Sequence, residues 1–194
     1  MIKPFIIFLL FVFASGCNNP LPEEKKINGT FALLNQDSSK VNFPGRFKGR
    51  ILVTGFIFTN CPDICPMTIH NMQLIQKELA KEKIKNVEFA AVSFDPLRDT
   101  PEVLSKQAEL REVDLSNFNF LTGNKNRIDS LLDAMNIFAF TDDTTYTESG
   151  ELVYFFVHTD RITLVDQQGS IRKEYSGSKI NIDEIISDIK YLGE

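Results

Sequence analysis

Two residues stand out for their chemistry, Cys61 and Cys65, in the run Thr59-Asn60-Cys61-Pro62-Asp63-Ile64-Cys65-Pro66. They follow Ile51 to Phe58, an uncharged run of β-branched and aromatic residues that suits a strand buried on both faces. After them Pro66 fits the first turn of a helix, and Ile69, Met72, Ile75 and Leu79 recur at helical spacing as far as Lys83. Both thiols therefore sit at a helix N-terminus, where partial positive charge favours thiolate, the form that attacks disulfides and binds metals. Four positions along a helix rise ~6 Å, within the ~4.4–6.8 Å Cα separation that a disulfide tolerates. The pair could thus close a disulfide, structural or redox-active, or hold one soft ion, and the spacing does not choose among these.

The elements that must position the thiols can be read on either side. Val87 to Phe94 (VEFAAVSF) is a second apolar strand ended by Asp95-Pro96. Thr100 caps the next helix, Pro101 lies in its first turn, and the helix runs to about Arg111. Loops at the C-termini of parallel strands gather on one edge, which places Asp95 to Thr100 near Cys61 and Cys65. Asp95 and Arg98 are then candidates to support the thiols from outside, or else form a capping and ion-pair turn. Only two histidines exist. His70, five positions past Cys65, is rotated away from it and reads as a surface or half-buried residue. His158 lies before a strand, in a loop that can fold back over the helix start. A lone histidine at such a place is by itself a weak metal signal.

Elsewhere, Phe31 to Leu34 and Val41 to Phe43 flank a turn and read as a hairpin covering the end of the core. Phe118 to Leu121 is a third strand, followed by a helix opened by Asn124 or Asn126 with Ile128, Leu131, Leu132 and Met135 on one face. Thr141 to Gly150 (TDDTTYTESG) is polar and without period, an exposed loop whose spacing is not that of an EF-hand. Arg161 to Val165 and Ile171 to Tyr175 form a hairpin, and Asn181 with Glu184 opens the last helix, carried by Ile182, Ile185, Ile186 and Ile189.

Three stretches in order resemble the signatures of the Sco/SenC family, thioredoxin-like copper proteins tethered to membranes that help to assemble cytochrome c oxidase. CPDIC-Pro66 is similar to the family's CPDxCP, Ser93 to Pro101 (SFDPLRDTP) to SxDPxRDTP, and Val157-His158-Thr159 to VDHS/VDHT. With a similar order of elements, the likeness covers most of residues 27–194. It implies an α/β, thioredoxin-like fold with an N-terminal β-hairpin and a central mixed sheet flanked by helices, and the β-α-β-α-β-α-ββ-α order agrees. It also implies copper, Cu(I) and/or Cu(II), on Cys61, Cys65 and His158, with Cys61 and Cys65 also able to pair as a disulfide. Two thiolates suit Cu(I), and the imidazole with a fourth oxygen suits Cu(II), whereas structural zinc would want a fourth protein ligand. The implied recipient is the dinuclear copper A centre of cytochrome c oxidase subunit II, with other copper carriers or thiol partners alongside it. In this chain Val157 replaces the family's Asp, so another group must orient His158.

The second reading is enzymatic, a thiol-disulfide oxidoreductase that keeps partner cysteines reduced, with Cys61 attacking and Cys65 resolving. The chain lacks tryptophan and the CxxC spacing of general thioredoxins, which argues against a broad reductase. Nothing marks a peroxidatic cysteine. At the N-terminus one charge, Lys3, precedes an apolar run from Phe5 to Phe13 and then Ala14-Ser15-Gly16-Cys17. That run is short of the ~20 residues of a spanning helix. It resembles a lipoprotein signal over residues 1–16, with Cys17 lipidated, and Asn18 to Lys26 follows as a tether (17–26 in all) to the domain at 27–194. An exported lipoprotein on a membrane, facing the periplasm or cell exterior, is the expected location. Without residues 1–16 the chain has 20 basic against 26 acidic side chains and no basic run, which excludes nucleic acid as a partner.

Overall fold

The structure, a computed structural model, describes residues 21–62, 64–147, 150 and 152–194. The expected signal, Cys17 and the first part of the tether lie outside these residues, as does Asp63. Ten strands and four α-helices follow in the order β1 (Lys25–Lys26), β2 (Phe31–Asn35), β3 (Lys40–Phe43), β4 (Ile51–Ile57), α1 (Ile64–Lys81), β5 (Val87–Ser93), α2 (Pro101–Leu110), β6 (Phe118–Gly123), α3 (Lys125–Ala134), β7 (Ala139–Tyr146), β8 (Leu152–His158), β9 (Ile162–Val165), β10 (Ser170–Tyr175) and α4 (Ile182–Gly193). Among the described residues, eight strands form one mixed sheet in the order β1-β10-β9-β4-β5-β6-β2-β3, while β7 and β8 pair only with each other.

Every residue of β4 and β5 is buried, as an uncharged central run requires, with Glu88 the one acid among them, paired with Arg50. The two strands run parallel with Ile57 opposite Ser93, so the segments that leave them emerge side by side. Helix α1 lays Ile69, Met72, Ile75 and Leu79 on this sheet. Gly55 lets it lie close: a Cβ there would meet the Met72 sulfur at 3.0 Å and the Thr68 methyl at 3.1 Å. The remaining helices start where their caps predict. Thr100 accepts the Val103 N–H, Asn124 the Asn126 N–H and Asn181 the Glu184 N–H.

Three expectations change. The β2–β3 hairpin does not cover the core's end but lengthens the sheet, because β2 pairs antiparallel with β6. The tether shortens: the Glu24 N–H donates to the Ile171 carbonyl at 2.9 Å, Lys25 pairs with Ile171, and Arg172 holds the Pro22 carbonyl, since β10 would otherwise leave its outer backbone groups unpaired. The third correction concerns Thr141 to Gly150, expected as a loop. Its first residues belong to β7, and β8 runs on to His158, which is therefore the end of a strand rather than part of a loop before one. A polar, threonine-rich strand shows no hydrophobic alternation when one of its faces never meets the core, so the sequence carries no periodic signal for it.

Candidate metal centre

The β4–α1 turn presents the two cysteines at the C-terminal edge of the parallel strands. Cys65 is buried, 1% exposed, in the first turn of α1, and Cys61 is half-buried before it. No disulfide joins them. The Cys65 N–H points at the Cys61 sulfur at 3.4 Å, and the Phe58 N–H points at the Cys65 sulfur at the same distance. The first is a donor of the helix start that the spacing predicts, and the second comes from the residue just past β4. They do not make Cys65 acidic, however. Its pKa is raised, first because its proton is shared with Cys61 and second because it is buried, and these outweigh the lowering by the Phe58 N–H.

His158 comes from a different sheet. On β8 alternate side chains point to opposite faces, and Tyr154, Phe156 and His158 take the inner one. Phe156 packs on Phe58 and Phe94 at ring separations of 5.1 and 5.0 Å, and His158 lies 4.9 Å from Phe94. Its Nε2 sits 3.7 Å from the Cys65 sulfur. Its Nδ1 is 3.1 Å from the Thr159 carbonyl oxygen. A carbonyl can only accept, so Nδ1 carries the proton and Nε2 turns its lone pair toward the sulfurs. The Thr159 backbone thus supplies the orienting group that the replacement of Asp by Val157 called for. Val157 is 46% exposed on the outer face of β8.

Among the described residues, Cys61, Cys65 and His158 form the group able to hold a metal ion, each offering one donor atom and all three atoms within 4.8 Å of one another. A cleft of about 320 Å³ opens over Cys61 and His158, lined also by Phe58, Pro62, Phe155 and Val157, with Cys65 buried beneath it. Two soft sulfurs and an imidazole under a partly apolar roof fit a soft, three-coordinate ion. A larger cleft of about 410 Å³, beside Arg50, Lys83 and Asn86, lies at the other end of the parallel strands, and neither thiol nor imidazole lines it. His70 is exposed and takes no part.

Asp95 and Arg98 lie on this edge, and their side chains reach the β7–β8 arm. Both carboxylate oxygens of Asp95 accept from the Tyr154 hydroxyl, at 2.9 and 3.0 Å, and the Arg98 guanidinium lies 3.5 Å over the Tyr154 ring. The carboxylate that reaches the cysteine turn is Asp99, absent from the sequence reading. It accepts from the Thr59 N–H at 3.0 Å and from the Thr59 and Ser93 hydroxyls, and it is 1% exposed. Burial raises the pKa of Asp95 and Asp99 against these hydrogen bonds. Ser93 and Asp99 bracket the same SFDPLRD stretch, which was the available signal for this role.

Fold and site together define a thioredoxin-like protein with a Cys-Cys-His group at the edge of its sheet. The chain belongs to the SCO1/SenC family, whose model matches residues 19–194. It is 32% identical to the SCO1 protein homolog of Bacillus subtilis over 196 residues, covering 98% of this chain and 96% of that one. Among solved structures it resembles a SCO1/SenC family lipoprotein from Bacillus anthracis (TM-score 0.74, 33% identity, 91% and 99% of the two chains). It also resembles BsSco, described as a member of the Sco family of cytochrome c oxidase assembly proteins with a disulfide switch (TM-score 0.70, 31% identity, 90% and 95%). Copper-bound ScoI of Bradyrhizobium japonicum shares the fold (TM-score 0.70, 24% identity, 84% and 98%).

Proposed function

We propose that the protein is a copper-binding assembly factor: Cys61, Cys65 and His158 hold one copper ion as cargo and pass it to the copper A centre of cytochrome c oxidase subunit II. The observation that carries this reading is the convergence of two sulfurs and an imidazole from separate elements within 4.8 Å. Three donors satisfy Cu(I) and leave room for an incoming ligand of the recipient, so the ion can leave by exchange. With a further oxygen the same donors accept Cu(II). Copper in a protein of the same fold and the oxidase-assembly role of BsSco support it. The domain is residues 27–194 with the docked segment before it, held by lipid on Cys17 to a membrane and facing the periplasm or cell exterior. No helix among the described residues is long and apolar enough to cross a membrane, and the Bacillus anthracis relative is a lipoprotein.

A second reading is favoured by the unequal burial of the thiols. Cys61, the more open, would attack a partner disulfide, and Cys65 would displace the partner's sulfur to leave a Cys61–Cys65 disulfide and a reduced partner. The experiment that separates the readings is His158→Ala. A carrier loses about 100-fold or more in copper affinity, beyond the ~10–100-fold typical of groups that only orient a ligand, and oxidase assembly fails while dithiol exchange continues. Unweakened copper binding with normal assembly would overturn the carrier reading.

A further inference from the structure

The nitrogen donor stands on an arm whose backbone, among the described residues, does not pair with the main sheet. At its root the Thr159 N–H donates to the Phe138 carbonyl and the Phe138 N–H to the Thr159 hydroxyl, bonds that close the arm on itself. What places β8 on the body is therefore a set of side chains at every second residue, Tyr154, Phe156 and His158. Phe156 fills an aromatic recess between Phe58 and Phe94, an apolar contact that tolerates sliding and rotation. Tyr154 is held differently. Its hydroxyl is bonded to a carboxylate that is 3% exposed, and its ring face is covered by a guanidinium at 3.5 Å. Hydrogen bonds to a charged acceptor are short and directional, and the cation over the ring fixes its plane.

We propose that Tyr154 is the positioning residue of the metal centre, its clasp on Asp95 and Arg98 setting the register in which the arm presents His158 to Cys65. Four residues of strand, ~13 Å, separate clasp and imidazole, and a shift of one residue would carry His158 to the outer face. The clasp also joins two of the chain's signature stretches: Asp95 and Arg98 belong to the turn after β5, whose Asp99 holds Thr59 just before Cys61. The same turn thereby braces the sulfur donors on one side and the nitrogen donor on the other. Burial and donation to Asp95 push the Tyr154 phenol up to about 12, so it remains a donor at neutral pH.

The inference rests on His158 being a copper ligand, but its test begins on the metal-free protein. In Tyr154→Phe the ring and its guanidinium contact remain and the hydroxyl is lost. Imidazole ¹⁵N spectra of the apo full chain are expected to lose the single Nδ1–H tautomer of His158, and Cu(II) affinity to fall about tenfold, with the midpoint potential of the Cys61/Cys65 couple unchanged. Asp95→Asn keeps an acceptor but removes its charge, and should shift both readouts in the same direction by less. A stability loss with His158 spectra and copper affinity as in the wild type, in both variants, would reduce Tyr154 to a structural residue and overturn the proposal. If the wild type binds no copper, the carrier reading fails, and the ¹⁵N spectra still decide whether the clasp holds His158.

Discussion

The two halves of the metal centre are built on opposite terms. The sulfur half lies on the central strands: β4 and β5 are buried along their whole length, α1 is pressed onto them at Gly55, and the cysteine turn is tied to Asp99. The nitrogen half lies on a two-stranded arm with its outer face in solvent, where Phe140 is 58% exposed and Phe155 and Val157 are each 46% exposed. A lone two-stranded hairpin is at best marginally stable in water. Among the described residues the arm keeps its place through inner-face side chains, Tyr154, Phe156 and His158 on β8, with Ala139 of β7 packed against the core. One donor pair is fixed by the core, whereas the third donor stands on an arm that meets the core through side chains. For the copper transfer proposed above, which needs an ion both held and released, that inequality is useful.

The contrast can be broken most severely from the sulfur side. Cys65→Ser replaces a buried donor on the rigid half, and copper retention after desalting is expected to drop by more than about 100-fold, further than any change on the arm that leaves His158 in place. Retention equal to that of Tyr154→Phe would show that the arm, not the core, dominates binding. A smaller effect concerns pH. The raised Cys65 pKa means that the apo thiol keeps its proton well above the usual thiol range, so copper must displace that proton. Apparent affinity should climb with pH, by about tenfold per unit for each proton released, and calorimetry in buffers of different ionisation enthalpy would count the protons. Affinity independent of pH between 6 and 8, roughly the range below an ordinary thiol pKa of ~8.5, would mean that the thiols are already ionised.

The smallest change is expected at Val157. Restoring the family's acid with Val157→Asp alters an exposed side chain at the rim of the cleft, but the His158 Nδ1 is already held by the Thr159 carbonyl. Surface substitutions of this kind change free energies by no more than about 0.5 kcal/mol, so copper affinity should stay within about twofold. A larger gain, measured by competition titration, would mean that the carbonyl is an inadequate substitute for the acid.

Much of this protein was legible one residue at a time. The uncharged run from Ile51 to Phe58, the helical spacing from Ile69 to Leu79 and the Thr100-Pro101 start are local patterns, and local patterns survive into the structure because burial and capping act on neighbours in sequence. The parallel pairing of the two apolar strands followed from that order and brought Asp95 to Thr100 beside the cysteines. The membership of His158 in the site was readable only through the likeness of Val157-His158-Thr159 to a known motif, since nothing local distinguishes that histidine. The arm itself was not legible. Strand β7 has no buried apolar alternation, and its partner β8 finds its place through aromatic contacts with Phe58 and Phe94, which lie 62 or more positions earlier in the chain. Likewise the division of labour between Asp95 and Asp99 depends on which way each side chain turns from one short loop, toward Tyr154 or toward Thr59. Residue types and spacing determined the chemistry that was available. Tertiary packing decided which groups meet, because contacts between distant segments are selected by the shape of the assembled core and leave no period in the sequence.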